Sequence, residues 1–230
     1  SSHEAHNNLG VILKQAGRLK EAEFSIRKAI QLKPDFADAY MNLGNILKLF
    51  GELEESEVSL LKAIELKPDM DEAHANLGAF LMDVGKSQEA ESSLLKAIEL
   101  NPDNTVAHSN LGNVFSGKGK AKESKLHYSY VLKKEPNNIY YNINSKLIFS
   151  PIMENNTQID SERENYQEQI KKIKNNTDIY YRDNDVFNTN IFYIPYQNRT
   201  NDKEILEELS NTISNIKGIV SNKFYINNKQ

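Results

Sequence analysis

Apolar residues in the first half of the chain recur at the spacing of one helical face. Ala5, Leu9 and Leu13 are four residues apart, so they fall on one stripe of a helix. A second apolar stripe follows and consists of Ala22, Ile26, Ala29 and Ile30. Gly17 lies between the two stripes, where a tight turn needs a permissive backbone. The pattern therefore predicts two helices joined by a short turn.

This two-stripe pattern recurs with a period of 34 residues. The period is marked by Pro34, Pro68, Pro102 and Pro136. In register with it are the Leu-Gly pairs at 9–10, 43–44, 77–78 and 111–112, the glycines Gly17, Gly51, Gly85 and Gly119, and the residues Ala29, Ala63, Ala97 and Val131. A fixed period of this length predicts an array of helical hairpins, with four copies before Pro136.

Small residues and prolines have a packing role in each copy. Gly10 and Ala22 lack bulk where the two helices must approach each other closely. Pro34 is expected to end the second helix, and Asp35 or Asp38 to cap the next one. One copy cannot bury its own apolar face, so the copies are expected to stack.

The period and these positions resemble the tetratricopeptide repeat (TPR), over about residues 3 to 136. The resemblance implies a mainly α fold in which the hairpins form a right-handed helical solenoid with a concave groove. Residues 1–136 are expected to hold the four repeats, and residues 137–150 a helix that closes the solenoid. Ser1 to Glu4 look like the tail of a preceding turn, so further repeats are expected upstream.

One polar column runs through the repeats, one residue before each Leu-Gly pair. Its members are Asn8, Asn42, Asn76 and Asn110, and one further period reaches Asn144. Asparagine is a poor choice inside a helix because its amide competes for backbone hydrogen bonds, so the column needs a reason. Each amide both donates and accepts, and a ladder of amides can pair with the backbone of an extended peptide. The neighbouring columns vary while this one does not, which favours a peptide-binding role.

The column resembles the asparagine ladder in the TPR superhelix of O-linked N-acetylglucosamine (O-GlcNAc) transferases, which holds acceptor polypeptide. That resemblance implies a peptide-binding role for Asn8, Asn42, Asn76, Asn110 and Asn144. Asn144 matches less well, because the Leu-Gly pair beside it has become Ser145-Lys146. A structural alternative is that these amides bond to the neighbouring repeat and only stiffen the stack.

Beyond Pro136 the composition changes, with 19 Asn among 94 residues. The pattern in residues 139–149 predicts the closing helix, and Pro151 is expected to end it. A further helical stripe, ending at Asn175, is formed by Ile159, Tyr166, Ile170 and Ile173. Residues 190–195 are typical of a strand, and Asn201 with Glu204 predicts the start of another helix. Residues 151–230 are therefore expected to form a smaller α/β connecting segment.

This part resembles the region before the catalytic domain in bacterial O-GlcNAc-transferase-like (SPINDLY-like) glycosyltransferases, over about residues 145 to 225. The resemblance rests on residues 160–163 with Tyr166, and on residues 191–197 followed by Asn201-Asp202. It implies that the chain is truncated before a catalytic domain, and that a UDP-sugar donor binds only in that missing domain. No cofactor is expected within these residues.

Charge and composition exclude several classes of function. The formal net charge is −4, from 17 basic and 20 acidic residues up to Pro136 and 11 against 12 beyond it. Without a basic excess, neither nucleic acid nor an anionic membrane is an expected partner. The absence of Cys removes disulfides and thiol chemistry, so a cytoplasmic location is expected. No apolar run approaches the ~20 residues of a membrane helix.

Residues with catalytic or metal-binding chemistry do not form a recognisable motif. The sequence contains no G-x-G-x-x-G, no G-x-S-x-G and no H-E-x-x-H. His6, His74 and His108 share one repeat column, in which the second copy has Tyr40. Stacked copies place such rings about 10 Å apart, too far to share a metal ion, so this column is expected to pack.

Two functional hypotheses follow. In the first, the chain is a peptide-binding TPR segment that recruits acceptor polypeptide for an O-GlcNAc-transferase-like glycosyltransferase, whose catalytic domain lies outside these residues. In the second, it is a free-standing TPR adaptor that scaffolds protein partners. No catalytic residue is assigned within the span, so whether the parent protein is an enzyme depends on which hypothesis holds.

Overall fold

A computed structural model describes residues 2–147, 156–175 and 202–214. These residues contain eleven α-helices and no strand. Their bounds are α1 Ser2–Gln15, α2 Leu19–Leu32, α3 Ala37–Phe50, α4 Leu53–Leu66, α5 Asp71–Asp83, α6 Ser87–Leu100, α7 Thr105–Gly117, α8 Ala121–Lys134, α9 Ile139–Lys146, α10 Asn156–Lys174 and α11 Asp202–Ser214. The chain divides into two compact units, Ser1–Asn110 and Leu111–Gln230, with the division inside α7.

The first unit is built from consecutive helical hairpins. α1 pairs with α2, α3 with α4, and α5 with α6, and the second helix of one hairpin packs on the first helix of the next. In the core between α2 and α3, Ala29 packs with Leu43 and Ile46. The prediction of a mainly α fold made of helical-hairpin repeats is confirmed.

Close helix contact explains the glycine of each Leu-Gly pair. A Cβ added at Gly44 would lie 2.7 Å from Cγ of Leu60, and one added at Gly78 would lie 2.5 Å from Cγ of Leu94. Contacts this short leave no room for a methyl group. The glycine therefore lets the second helix lie directly against the first, as the sequence predicted.

The glycine between the two helices of each hairpin has a different role. Gly17, Gly51 and Gly85 have φ angles of 74°, 80° and 79°, in the left-handed region that side chains other than glycine rarely adopt. In the second unit Gly119 repeats this conformation with φ 71°. These residues end the first helix and turn the chain into the second.

Helix starts differ from the prediction. Neither Asp35 nor Asp38 caps α3: the residue before the helix is Phe36, and its side chain forms no capping hydrogen bond. Instead, the Nζ of Lys33 lies 5.5 Å from the centre of the Phe36 ring. Asp38 lies in the first turn, where its charge favours the helix through the macrodipole.

The second unit contains the rest of α7 and the helices that follow. Tyr128 of α8 and Tyr140 of α9 meet edge to face, and the hydroxyls of both donate to Oδ1 of Asn113 at 2.6 Å. α9 packs on α8 and ends at Lys146, before the predicted end at residue 149. The closing helix is therefore short.

Helices α10 and α11 account for the described part of residues 151–230. Of the four residues of the stripe predicted in α10, Tyr166, Ile170 and Ile173 are buried and Ile159 is half-buried. In α11, Ile205 and Leu209 are buried. The predicted strand at residues 190–195 lies outside the described residues, so the α/β character of this segment stays a prediction.

Candidate functional site: a groove lined by the first helices

The first helices of the hairpins lie side by side in the first unit. α1 contacts α3, and α3 contacts α5. A cavity of about 500 Å³ opens on this side and is lined by Lys14, Met41, Asn45, Asn76 and Val106, among others. We call this side of α1, α3, α5 and the start of α7 (residues 105–110) the first-helix groove.

Three of the predicted binding residues present unused amides. Asn8 is exposed, while Asn76 and Asn110 are half-buried. Within the described residues, none of these three side chains has a hydrogen-bond partner. Asn76 also borders the cavity directly. Because the three occupy one repeat position on the first helices α1, α5 and α7, they share one face of the first unit.

Asn42 differs from the other members of the column. Its Nδ2 donates to Oδ1 of Asn7, 3.0 Å away, and this bond joins α3 to α1. The equivalents of Asn7 in the next copies are Met41 and Ala75, whose side chains offer no comparable acceptor. The alternative that the asparagines bond to the neighbouring repeat and stiffen the stack therefore holds for Asn42 with Asn7, and it does not extend to Asn76 or Asn110.

Asn144 does not present its amide to a ligand. Its side chain is 0% exposed and belongs to the second unit. Its Nδ2 donates to the carbonyl oxygen of Tyr140 at 2.9 Å, and within the described residues its Oδ1 has no partner. The assignment of Asn144 as a peptide-binding residue, which the resemblance implied, is corrected here, because the neighbours of α9 bury this side chain completely.

A polar cluster at the edge of the groove was missed by the sequence reasoning. Nδ2 of Asn101 and Nδ2 of Asn104 both donate to Oδ2 of Asp71, each at 2.8 Å. Oδ1 of Asn104 accepts from the backbone N–H of Ala107 at 2.8 Å and so caps α7. The cluster fixes the start of α7 against the start of α5.

The signal for this cluster was present in the repeat register. Asn101 and Asn104 stand where the second copy has Lys67 and Met70. Asp71 stands where the second copy has Ala37. Subtracting the period shows that the third copy has an Asp at its start and an Asn at two positions of its end, where the second copy has Ala37, Lys67 and Met70.

The histidine column has a backbone partner. The Nε2 of His74 lies 3.0 Å from the carbonyl oxygen of Pro68, and Nε2 of His108 lies 3.1 Å from that of Pro102. One period later Nδ2 of Asn142 donates to the carbonyl oxygen of Pro136 at 2.8 Å. These side chains tie the turn before a first helix to that helix. Burial lowers the pKa of His108, although its bond to Pro102 and the charge of Asp103 oppose the shift.

Charged side chains link the first helices and border the cavity between them. Nζ of Lys48 pairs with Oδ2 of Asp83 at 3.0 Å, which links α3 to α5. Lys14, Asp71 and Glu72 border the cavity together with the amides of Asn45 and Asn76. The groove thus offers donors and acceptors alongside short apolar surfaces. In the described part of the chain, no three His, Cys, Asp or Glu residues are grouped so as to hold a metal ion.

A second cavity in the first unit measures about 640 Å³ and is bordered by α2, α3 and α4. Nη2 of Arg27 bonds to Oε1 of Glu55 at 2.7 Å between these two helices, and Nζ of Lys62 bonds to Oε1 of Glu65 at 2.7 Å. Its main polar groups are already paired, so the first-helix groove is the better candidate for ligand binding.

Among the helices of residues 2–147, 156–175 and 202–214, none combines the length and the apolar character needed to cross a membrane.

Family comparisons support the repeat assignment. Tetratricopeptide repeat models match residues 3–36, 37–70 and 71–104, so the TPR prediction is confirmed for these three copies. No curated protein matches the sequence.

Solved structures share the fold at low sequence identity. PilF of Pseudomonas aeruginosa matches with a TM-score of 0.66 and 21% identity, over 92% of this chain and 88% of PilF. YrrB, described as a TPR protein with an unusual peptide-binding site, matches with a TM-score of 0.53 and 22% identity, over 73% of this chain and 82% of YrrB. An O-GlcNAc transferase mutant from Thermobaculum terrenum matches with a TM-score of 0.55 and 23% identity, over 60% of this chain and 27% of the transferase chain. At these identities the likeness shows the fold alone.

Proposed function

We propose that the chain is a polypeptide-binding TPR segment and that its first-helix groove holds an extended peptide by the peptide backbone. TPR arrays present extended surfaces of this kind to protein ligands. The observation that carries the proposal is the unused amides of Asn8, Asn76 and Asn110 on one face of the first unit. An amide without a partner inside the protein can exchange bound water for a peptide N–H or C=O.

The spacing of the column suits an extended ligand. Adjacent packed helices lie about 10 Å apart, and an extended chain advances about 3.3 Å per residue. One asparagine therefore meets the peptide about once every three residues. Backbone pairing of this type gives affinity with little dependence on the ligand's side chains.

Asn42 can still contribute to such a ladder. Its Nδ2 is held by Asn7, but within the described residues no donor occupies its Oδ1. The bond to Asn7 fixes the orientation of the amide before a ligand arrives. Asn42 therefore acts as an oriented acceptor for a peptide N–H, and Asn8, Asn76 and Asn110 act as free donors and acceptors.

A more specific proposal is that the captured polypeptide is the acceptor of an O-GlcNAc-transferase-like glycosyltransferase. It is supported by the asparagine column, which resembles the acceptor-holding ladder of that family, and by the shared fold with the Thermobaculum terrenum enzyme. The catalytic domain and its UDP-sugar site would lie outside these 230 residues. The alternative is an adaptor that uses the same groove to scaffold partner proteins.

The groove is tested with a triple variant, Asn8→Ala, Asn76→Ala and Asn110→Ala. Binding of a mixed library of unstructured peptides is measured by fluorescence anisotropy, together with the melting temperature. We expect at least tenfold weaker binding and an unchanged or higher melting temperature, since Ala is the better helix former. Asn211→Ala removes an exposed amide from α11 and serves as the matched control, expected to bind as the unaltered chain does. Unchanged binding with a lower melting temperature would contradict the proposal.

The acceptor role has its own test. The full product of the gene is incubated with a labelled UDP-sugar and an unstructured acceptor protein, with and without the triple substitution. Sugar transfer that falls in the variant supports acceptor recruitment. A full-length protein that transfers no sugar but still binds peptides refutes that role and leaves the adaptor.

A further inference from the structure

Two apolar side chains form an exposed ridge on α4. Val58 is 65% exposed and Leu61 is 50% exposed, and they lie three residues apart on one face of the helix. We call these two residues the α4 ridge. On α6, Leu95 occupies the repeat position of Leu61 and is 47% exposed. The ridge belongs to the second copy, which has a hairpin before it and another after it, so neighbouring hairpins leave it uncovered.

The repeat does not require apolar residues at these positions. The first copy has Arg27 where the second has Leu61, and the third copy has Ser92 where the second has Val58. All three copies form the same kind of hairpin. The side of α4 that packs inside the hairpin is a different one, marked by Leu60, which is 1% exposed. Exposed apolar side chains that adjoin one another and are not needed for the core are typical of an interaction surface.

A hollow lies directly beside the α4 ridge. The second cavity, of about 640 Å³, is bordered by the ridge, by Ile30 and Gln31 of α2, and by Leu43 of α3. When helices pack, a ridge of side chains on one helix fits a groove in the surface that it meets. One face of the chain therefore carries both a ridge and a hollow that can receive a ridge.

Charged residues around the ridge are already paired within the chain. The distance from nitrogen to oxygen is 2.7 Å in the first two pairs and 3.0 Å in the third, which are Arg27 with Glu55, Lys62 with Glu65 and Lys86 with Glu57. A partner that covers the ridge therefore does not have to supply an opposite charge. An apolar centre with a polar rim is the usual composition of a protein–protein interface. These features favour an apolar partner surface without excess charge, and the α4 ridge itself is such a surface.

The size of the face is sufficient for a weak dimer. Helices α2, α4 and α6 have 14 residues each, which makes them about 21 Å long. At a helix spacing of about 10 Å, the three cover about 600 Å² on each copy. Two copies would then bury about 1,200 Å² in total, which lies at the lower end of specific interfaces.

We propose that this face joins two copies of the chain in a symmetric dimer, in which the α4 ridge of each copy lies in the second cavity of the other. A symmetric contact uses one surface patch twice, which suits a face with both a ridge and a hollow. The second cavity shares no lining residue with the cavity of the first-helix groove. The dimer therefore leaves both grooves open and offers two of them to a long polypeptide. It does not depend on peptide binding and is tested without a peptide.

Sedimentation equilibrium measures the association directly. We expect a monomer–dimer equilibrium with a dissociation constant of about 1–100 μM. The variant Val58→Ser with Leu61→Arg uses the residue types of Ser92 and Arg27, so it should fold normally and melt within about two degrees of the unaltered chain. Its dimer should be at least tenfold weaker. A chain that stays monomeric at about 500 μM, or a dimer that the variant leaves unchanged, would overturn the proposal.

Leu126→Ser is the matched control. Leu126 occupies the repeat position of Val58 in the fourth copy and is 68% exposed, but it belongs to α8 in the second unit. Its replacement removes a similar amount of exposed apolar surface and should leave the dissociation constant unchanged. An equal weakening of the dimer by this control would assign the association to apolar exposure in general and would overturn the proposal.

Cross-linking tests the arrangement within the dimer. The chain contains no Cys, so single cysteines can be introduced without competing thiols. A Leu61→Cys chain is mixed with a Gln31→Cys chain under oxidised glutathione, and we expect a disulfide-linked mixed dimer, because the ridge of one copy then lies beside Gln31 of the other. A Leu126→Cys chain in place of the Leu61→Cys chain should cross-link at least tenfold more slowly. Equal rates for the two mixtures would overturn the proposal.

Discussion

Nδ2 of Asn42 donates a hydrogen bond to Oδ1 of Asn7, 3.0 Å away, and Asn7 is only 7% exposed. The bond joins α3 to α1 next to the first-helix groove. One member of the asparagine column thus has a role in the stack, while Asn76, in the same repeat position, has no partner within the described residues. Identical residues at one repeat position therefore contribute differently to the free energy of unfolding.

Replacing these two asparagines separately should give opposite results. Asn42→Ala leaves the buried acceptor of Asn7 without its donor and is expected to lower the free energy of unfolding by about 1–2 kcal/mol. Asn76→Ala removes an unpartnered amide from a helix interior and should be neutral or stabilising by up to about 0.5 kcal/mol. Urea denaturation of both variants measures the difference. Equal destabilisation by the two changes would contradict this account of the column.

Gly44 should not tolerate a methyl group. The Cβ in Gly44→Ala would lie 2.7 Å from Cγ of Leu60, so we expect a loss of about 1–3 kcal/mol in the free energy of unfolding. Gly117→Ala is the matched control, because a Cβ at Gly117 meets nothing within 4 Å. That control should be neutral or stabilising, since Ala is a better helix former. If the two variants melt alike, close helix packing is not the reason for the Leu-Gly pair.

Asp71 should matter for stability more than a neighbouring carboxylate. Asp71→Ala leaves the amides of Asn101 and Asn104 without their acceptor, and we expect a loss of about 1–3 kcal/mol. Asp69→Ala changes an exposed carboxylate in the preceding turn and should cost less than about 0.5 kcal/mol. Thermal unfolding of both variants provides the comparison, and a similar loss in the two would argue against the cluster.

The stability of the fold should decrease at mildly acidic pH through His108. Burial lowers the pKa of His108, so the folded state binds a proton less readily than the unfolded state does. This contribution to stability is fully present above the ordinary histidine pKa, near 6.5 in the unfolded chain, and is lost as the pH falls through the folded value.

The pH effect can be isolated with His108→Asn. Asn142 shows that an asparagine at this repeat position bonds to the preceding proline carbonyl, so the variant keeps a donor for Pro102 without a titrating ring. Melting temperatures between pH 7.5 and 5 should fall more steeply for the unaltered chain than for the variant. Parallel curves would show that His108 does not contribute.

Much of the fold follows from the period alone. The hairpins, the turn at Gly17 and the close approach at Gly10 depend on residues that lie near each other in sequence. Local spacing and steric size decide these features, so one copy predicts the others. The first four members of the asparagine column could be placed on one face for the same reason.

The remaining features depend on what packs against each helix. Asn144 lies in register with Asn110, yet α9 is short and its neighbours bury the side chain completely. Leu9 and Leu43 are the same residue at the same position and differ in exposure through their neighbours. A periodic pattern shows which face of a helix a side chain lies on, but it does not show which neighbouring helix packs over that face. Burial is therefore harder to predict from the sequence than the helices themselves.

The central claim is that the groove recognises the peptide backbone. It is tested most directly by titrating the chain with the tightest peptide from the library and with the same peptide N-methylated at alternate residues, which removes backbone donors and keeps the side chains. We predict at least tenfold weaker binding of the methylated peptide to the unaltered chain, and a clearly smaller difference for the Asn8→Ala, Asn76→Ala, Asn110→Ala variant, in which only Asn42 of the first four column members remains to accept a peptide N–H. Equal affinity of the unaltered chain for both peptides would contradict the account.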